Sequence, residues 1–244
     1  MNQSKKNKML KSKALNPKKT STPTTQIKLK NTSNPKKTSK LKKQYNTITY
    51  INIKPTRESH KYGKLSFKDC PEFTPNLTPK EILQMGSFGG TYFRPLYSTI
   101  THKNYENVHT EFPNNWYKNL DITKYLTSNV CYPKINTYKV SAGSSLKAWE
   151  DSNWIRAQDP YGWFQWYCRF YVGRRSPDDE RQISRWLNYA SEKRGRFRRN
   201  LITKCIKQNK TYDDISVSPV IRQGLQQWGY ILTLSDFNLS KKNM

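Results

Sequence analysis

The chain has 244 residues, a formal charge of +27 and 34% hydrophobic residues, which is enough to bury one core but not several. No run of about eighteen apolar residues occurs and the lysine-rich start has no apolar segment of the secretory type, so the expectation is a soluble intracellular protein with no membrane partner. Cys70, Cys131, Cys168 and Cys205 lie far apart and only three histidines are present, which excludes close-paired zinc and redox motifs and leaves no expected metal or cofactor.

Residues 1–43 carry fourteen lysines, no arginine and no acid, and the phrase Asn16-Pro17-Lys18-Lys19-Thr20-Ser21 returns at Asn34 to Ser39. Such a segment buries too little apolar surface to offset its ordering entropy. It is expected to be a disordered basic arm that suits a polyanion or a nuclear import signal. Thirty-one lysines and twenty-one asparagines also fit an AT-rich coding sequence, so arginine says more: nine of the thirteen fall between Arg169 and Arg199.

From residue 44 to about 240 the composition is that of a globular domain. Tyr45 to Ile53 reads as a short strand, and Thr91 to Thr101 and Ile135 to Val140 as further extended segments. Four capping residues precede prolines, at Thr78, Asp159, Ser176 and Ser218, and each predicts a helix start. Gly86, Gly173 and Gly229 supply stops, and Glu81 completes a capping box with Thr78. The fold class is therefore mainly α, with a few short strands and α+β as the alternative.

The helix predicted from Asp159 to Gly173 is aromatic around most of its axis, with Gly162, Gln165 and Arg169 on one stripe. Burial explains the rings at about 1.5–3 kcal/mol per large side chain. Arg169 must pair with an acid, with Asp178, Glu180 and Asp151 as candidates, or face a cleft beside Gln165 that admits an anion. Arg174 and Arg175 fall in a turn before a helix that opens with Asp178, Asp179 and Glu180. Three acids at that tip exclude its entry into a major groove.

Arg196 to Gln208 is amphipathic, with Phe197, Leu201, Ile202, Cys205 and Ile206 on one side and Arg196, Arg199, Asn200, Thr203, Lys204 and Lys207 on the other, Arg198 lying near the boundary. This face suits successive phosphates. Glycine-rich Gly86 to Pro95 reads as a tight turn, and Arg94 within it marks the place for a pocket if one exists, with Glu81, Glu150 and Asp159 as the acid–base candidates.

The runs "FTPNLTPKEILQMGSFGGTYFRPLYS", "DPYGWFQWYCRFYVGRRSPDDERQISRW", "GRFRRNLI" and "DDISVSPVIRQGLQQWGY" resemble an uncharacterised family associated with fungi, algae and large DNA viruses, over residues 65–235 or so. The resemblance implies one compact domain and brings no activity, cofactor or catalytic residue with it. A viral member would suit the lysine and asparagine content.

The leading expectation is a nucleic-acid-binding protein, for DNA or RNA, in the nucleus or a viral particle. Its lysine arm would act with Arg169, Arg174, Arg175, Arg196, Arg198, Arg199, Lys204 and Lys207 on phosphates. The alternatives are an enzyme with a pocket around Arg94, Gln165 and Arg169, or a packaging scaffold.

Overall fold

A computed structural model describes residues 45–242. The lysine arm expected over residues 1–43 lies outside the described residues. The described part carries eight α-helices and three short 3-10 helices against six strands of two or three residues, so the helix-dominated class holds. The order is β1 (Thr49–Tyr50), β2 (Thr56–Arg57), β3 (Leu65–Ser66), α1 (Pro79–Gln84), β4 (Leu96–Ser98), β5 (Lys103–Tyr105), α2 (Ile122–Tyr125) and α3 (Leu146–Asp151). Then follow α4 (Trp163–Tyr171), β6 (Arg174–Arg175), α5 (Asp179–Ala190), α6 (Arg196–Lys207), α7 (Pro219–Gln227) and α8 (Leu234–Lys242). Three antiparallel two-stranded ribbons pair β1 with β6, β2 with β3 and β4 with β5.

The helix signals hold where chemistry is local. Thr78 accepts from the Glu81 backbone and Glu81 reaches back to Thr78, forming the capping box that opens α1. Pro219 opens α7 as expected, although Ser218 before it sits at φ 52° and its side chain makes no capping hydrogen bond. Other starts move inward. Asp159 does not open α4, which begins after Gly162, and Ser176 lies before a turn that leads to α5 at Asp179. The Asp179 carboxylate accepts from the Ser176 N–H and hydroxyl at 2.9 and 2.7 Å, so the acid reaches back where a serine cap was expected. Ile135 to Val140 is not a strand, because Pro133–Ile135 forms a 3-10 turn.

Helix α4 is the axis of the core. Trp166, Tyr167 and Cys168 are fully buried, and Phe73 meets Phe67, Trp166, Tyr167, Phe170 and Trp186 with centroids 5.1–5.5 Å apart. The polar tips of these rings are matched, as buried Trp and Tyr require: Trp166 donates to Asp179 at 2.8 Å and Tyr167 to the Leu77 carbonyl at 2.7 Å. Gly173 ends the helix at φ +104°, and a Cβ there would sit 2.2 Å from the Ile51 carbonyl oxygen. Only glycine lets β1 close on β6 here. Helix α1 packs on α4, and α6 packs against α5, α7 and α8.

A candidate aromatic and arginine-lined cleft

The arginines of the predicted surface divide into two groups. Arg175 is fully buried and forked onto Asp69 at 2.6 and 3.1 Å, with its guanidinium 3.7 Å above the Phe170 ring. This pairing holds the Asp69 carboxyl below its usual range, outweighing the opposite push of burial. Arg174 is buried beside it and pairs with Asp159 at 2.6 Å, leaving its Nε without a hydrogen-bond partner among the described residues. Both arginines form β6 and are not in an open turn, because strand pairing with β1 draws them inward.

Arg169 is clamped by Glu111 through two bonds of 2.6 Å and by Asp159 at 3.0 Å, and it also donates to the Gln158 carbonyl. Burial works against its charge, yet the two carboxylates outweigh burial and raise its pKa. The partners differ from the expected Asp178, Glu180 and Asp151: Asp178 instead holds Arg181 at 2.5 Å. Arg198 is 4% exposed and lies 2.9 Å from Asp236 of α8, off the line of a hydrogen bond. Helix α8 carries that acid and gives the sequence no strong helical signal of its own.

Gln165 is 1% exposed and accepts from the Tyr161 N–H at 3.0 Å, so it lines no opening together with Arg169. The pocket expected from Arg94, Gln165 and Arg169 is therefore not formed. The acid–base candidates are likewise engaged. Glu81 caps α1 and binds Arg57 at 2.6 Å, Glu150 accepts from the Thr99 N–H at 3.1 Å, and Asp159 is held by two arginines.

The second group is open. Arg196, Arg199, Lys204 and Lys207 are exposed on α6, and none has a carboxylate partner among the described residues. Leu201, Ile202 and Cys205 are buried on the opposite face, as the amphipathic pattern predicts.

Beside the first turn of α6 lies a cleft of about 800 Å³. One wall is a run of rings: Trp163 stacks on Trp228 at 4.6 Å, Trp228 on Tyr189 at 4.6 Å and 10°, and Phe197 meets Tyr189 at 4.2 Å with a tilt of 31°. Arg196 lies over Phe197, 4.8 Å from its centroid. Trp154, 45% exposed, stands on the same cleft. A smaller adjoining pocket of about 260 Å³ shares Phe88, Tyr92, Trp149 and Tyr161 with it and adds Arg94 and the exposed thiol of Cys131. Arg94 donates to the Thr91 carbonyl and has no acidic partner among the described residues. The bend that shapes this end needs glycine: Gly90 has φ +90°, and a Cβ there would fall 1.9 Å from the Lys124 carbonyl oxygen.

Arg185 was not expected and is central. Its guanidinium carbon lies 5.3 Å from the ring centroids of both Trp154 and Trp228, and among the described residues its side chain bonds only Gln182 Oε1, at 3.0 Å. Burial pulls its pKa down to about 10, assisted by the charge of Arg181 and only partly opposed by Asp178, which Arg181 already occupies. The sequence did hold a clue. Positions three and four away on α5 are Arg181, Gln182, Asn188 and Tyr189, so no local acid can neutralise it.

Neither the cleft nor the adjoining pocket is lined by a carboxylate or a histidine. The described residues contain no cluster of histidine, cysteine and carboxylate side chains able to hold a metal ion, and no helix among them is long and apolar enough to cross a membrane. No protein-family model, curated protein or solved structure matches this chain.

Proposed function

We propose that the protein binds nucleic acid, DNA or RNA, through the outer face of α6 and the aromatic cleft at its start. One observation carries the reading: the segregation of charge. Arg169, Arg174, Arg175 and Arg198 are matched with Glu111, Asp159, Asp69 and Asp236, and buried Arg222 is held by the Val217 carbonyl, whereas Arg94, Arg185, Arg196, Arg199, Lys204 and Lys207 have no carboxylate partner among the described residues and lie along the cleft, its adjoining pocket and one helix face. Unmatched cations at an accessible surface favour an anionic ligand, and each phosphate they neutralise releases counterions. From Arg196 to Lys207 the helix rises by about 16 Å, room for several successive phosphates. The lysine-rich residues 1–43 would add encounter rate and salt-sensitive affinity.

The test is a salt titration of binding with the full chain and with α6 carrying Arg199→Glu, Lys204→Glu and Lys207→Glu. The logarithmic salt slope is expected to shrink by about 0.7–0.9 for each phosphate that the variant no longer neutralises. An unchanged slope rules out this face. The enzyme alternative is not favoured by the geometry, since Arg169 and the acid–base candidates are sealed in structural ion pairs and caps.

A further inference from the structure

We infer that the cleft between Trp154, Tyr189 and Trp228 seats an unpaired nucleotide, so that the preferred ligand is a single strand and not a duplex. This rests on the nucleic-acid reading above and narrows it. Three observations carry it. The first is shape: about 800 Å³ falls within the range of sites that enclose a small planar molecule, about 300–1,000 Å³. A base can offer its face to a protein ring only when it is unpaired and unstacked, because inside a duplex both faces are covered by neighbouring bases.

The second is the chemistry of the walls. Rings dominate, and Trp154 keeps 45% of its surface in solvent at a position where burial against a neighbour would ordinarily be favourable. An exposed indole on a cleft is a stacking platform for any of the bases. The third is charge. Arg185 stands between two indoles with no carboxylate partner among the described residues, and Arg196 flanks the same wall. A cation set in an apolar wall without an acid is costly until an anion reaches it. A stacked base brings its own phosphate to that distance, joining the aromatic and cationic features in one ligand. The carboxamide of Asn188, also on the cleft, makes no hydrogen bond to any described residue and is free to meet a base edge.

The experiment uses the full chain and follows tryptophan fluorescence and the anisotropy of labelled ligands. The probes are oligothymidylate and oligouridylate of about ten nucleotides, within the usual span of single-strand sites; the same length as blunt duplex; heparin; and thymidine monophosphate. Single strands are expected to quench the tryptophans and to bind more tightly than duplex or heparin. Trp154→Ala, at an exposed position that leaves the core intact, is expected to weaken single-strand binding by roughly 5- to 150-fold, the range for removing one base–aromatic stack, with duplex affinity unchanged. Arg185→Gln is expected to reduce the single-strand salt slope by about 0.7.

Equal affinity for single strand, duplex and heparin, insensitive to Trp154→Ala, overturns this inference and leaves the phosphate-binding reading standing. Binding of thymidine monophosphate as tight as that of the oligomers overturns it in favour of a free-nucleotide site. No binding of any polyanion overturns both readings together.

Discussion

Replacing Arg185 with methionine is expected to make the unliganded protein more stable. In the fold this guanidinium is pulled down to about 10, first by burial and then by Arg181. Each power of ten is worth about 1.4 kcal/mol, so holding the charge there costs the fold roughly 3 kcal/mol. A base whose pKa is lowered by folding is charged in both states at pH 7. The penalty is therefore fully present at that pH and is relieved only as the pH climbs through about 10. Against the gain stand the contacts with Trp154 and Trp228, each worth about 0.5–1 kcal/mol as cation–π pairs at 5.3 Å. Methionine recovers much of that through its thioether, at about 0.3–1.5 kcal/mol per aromatic contact.

Gln182 loses its bond from Arg185, which returns about 1 kcal/mol of the gain. The net expectation is a stabilisation of about 1–2 kcal/mol, a rise in melting temperature of roughly 2–8 °C for a domain of this size. Calorimetry or circular dichroism at pH 7 measures it, with single-strand binding assayed in parallel and expected to fall. A melting temperature that drops would show that the guanidinium is held by favourable contacts, and the premise of an unmet cation facing the cleft would be wrong.

Three further outcomes follow from the same contacts. Asp159→Asn leaves Arg174 buried with its partner uncharged, and should destabilise the fold by about 3–5 kcal/mol in urea titration. A loss under 1 kcal/mol would mean that the pair is dispensable. His109 is buried with its Nδ1 lacking a hydrogen-bond partner among the described residues, and burial lowers its pKa. Its contribution is therefore present above the ordinary histidine range and lost as the pH falls through its depressed value. His109→Phe should lose less stability than the parent between pH 7 and 5. Of the four cysteines only Cys131 is exposed, while burial pushes Cys70 up to about 12 and raises Cys168 and Cys205. One fast-reacting thiol is expected in the native protein, and an oligonucleotide seated in the cleft should slow its labelling.

Much of the fold could be read directly. The Thr78 and Glu81 box, the glycine that ends α4 and the two-faced pattern of α6 depend on neighbours within about four residues, and these signals act before any tertiary contact forms. The aromatic density of α4 likewise required burial whatever surrounded it. Misplacements came where a residue had two uses. Asp159 beside Pro160 has the form of a helix cap, yet two arginines ten and fifteen residues ahead claim its carboxylate, and charge-assisted bonds between buried groups outweigh a cap. Arg174 and Arg175 follow a glycine in what looks like a turn, but β1 closes on them from more than a hundred residues earlier in the chain.

Composition and local spacing alone established a basic, helix-dominated domain around an aromatic core with a surplus of arginine in its second half. Which arginines are neutralised was settled by the tertiary structure, because Arg169 meets Glu111, Arg175 meets Asp69 and Arg198 meets Asp236 only when segments 38 to 106 residues apart are brought together. Charge pairing falls off within a few ångströms of separation in space and takes no account of separation along the chain. The cations left over, including Arg185 and Arg196 on the cleft, are therefore known only after folding has brought acids to the others.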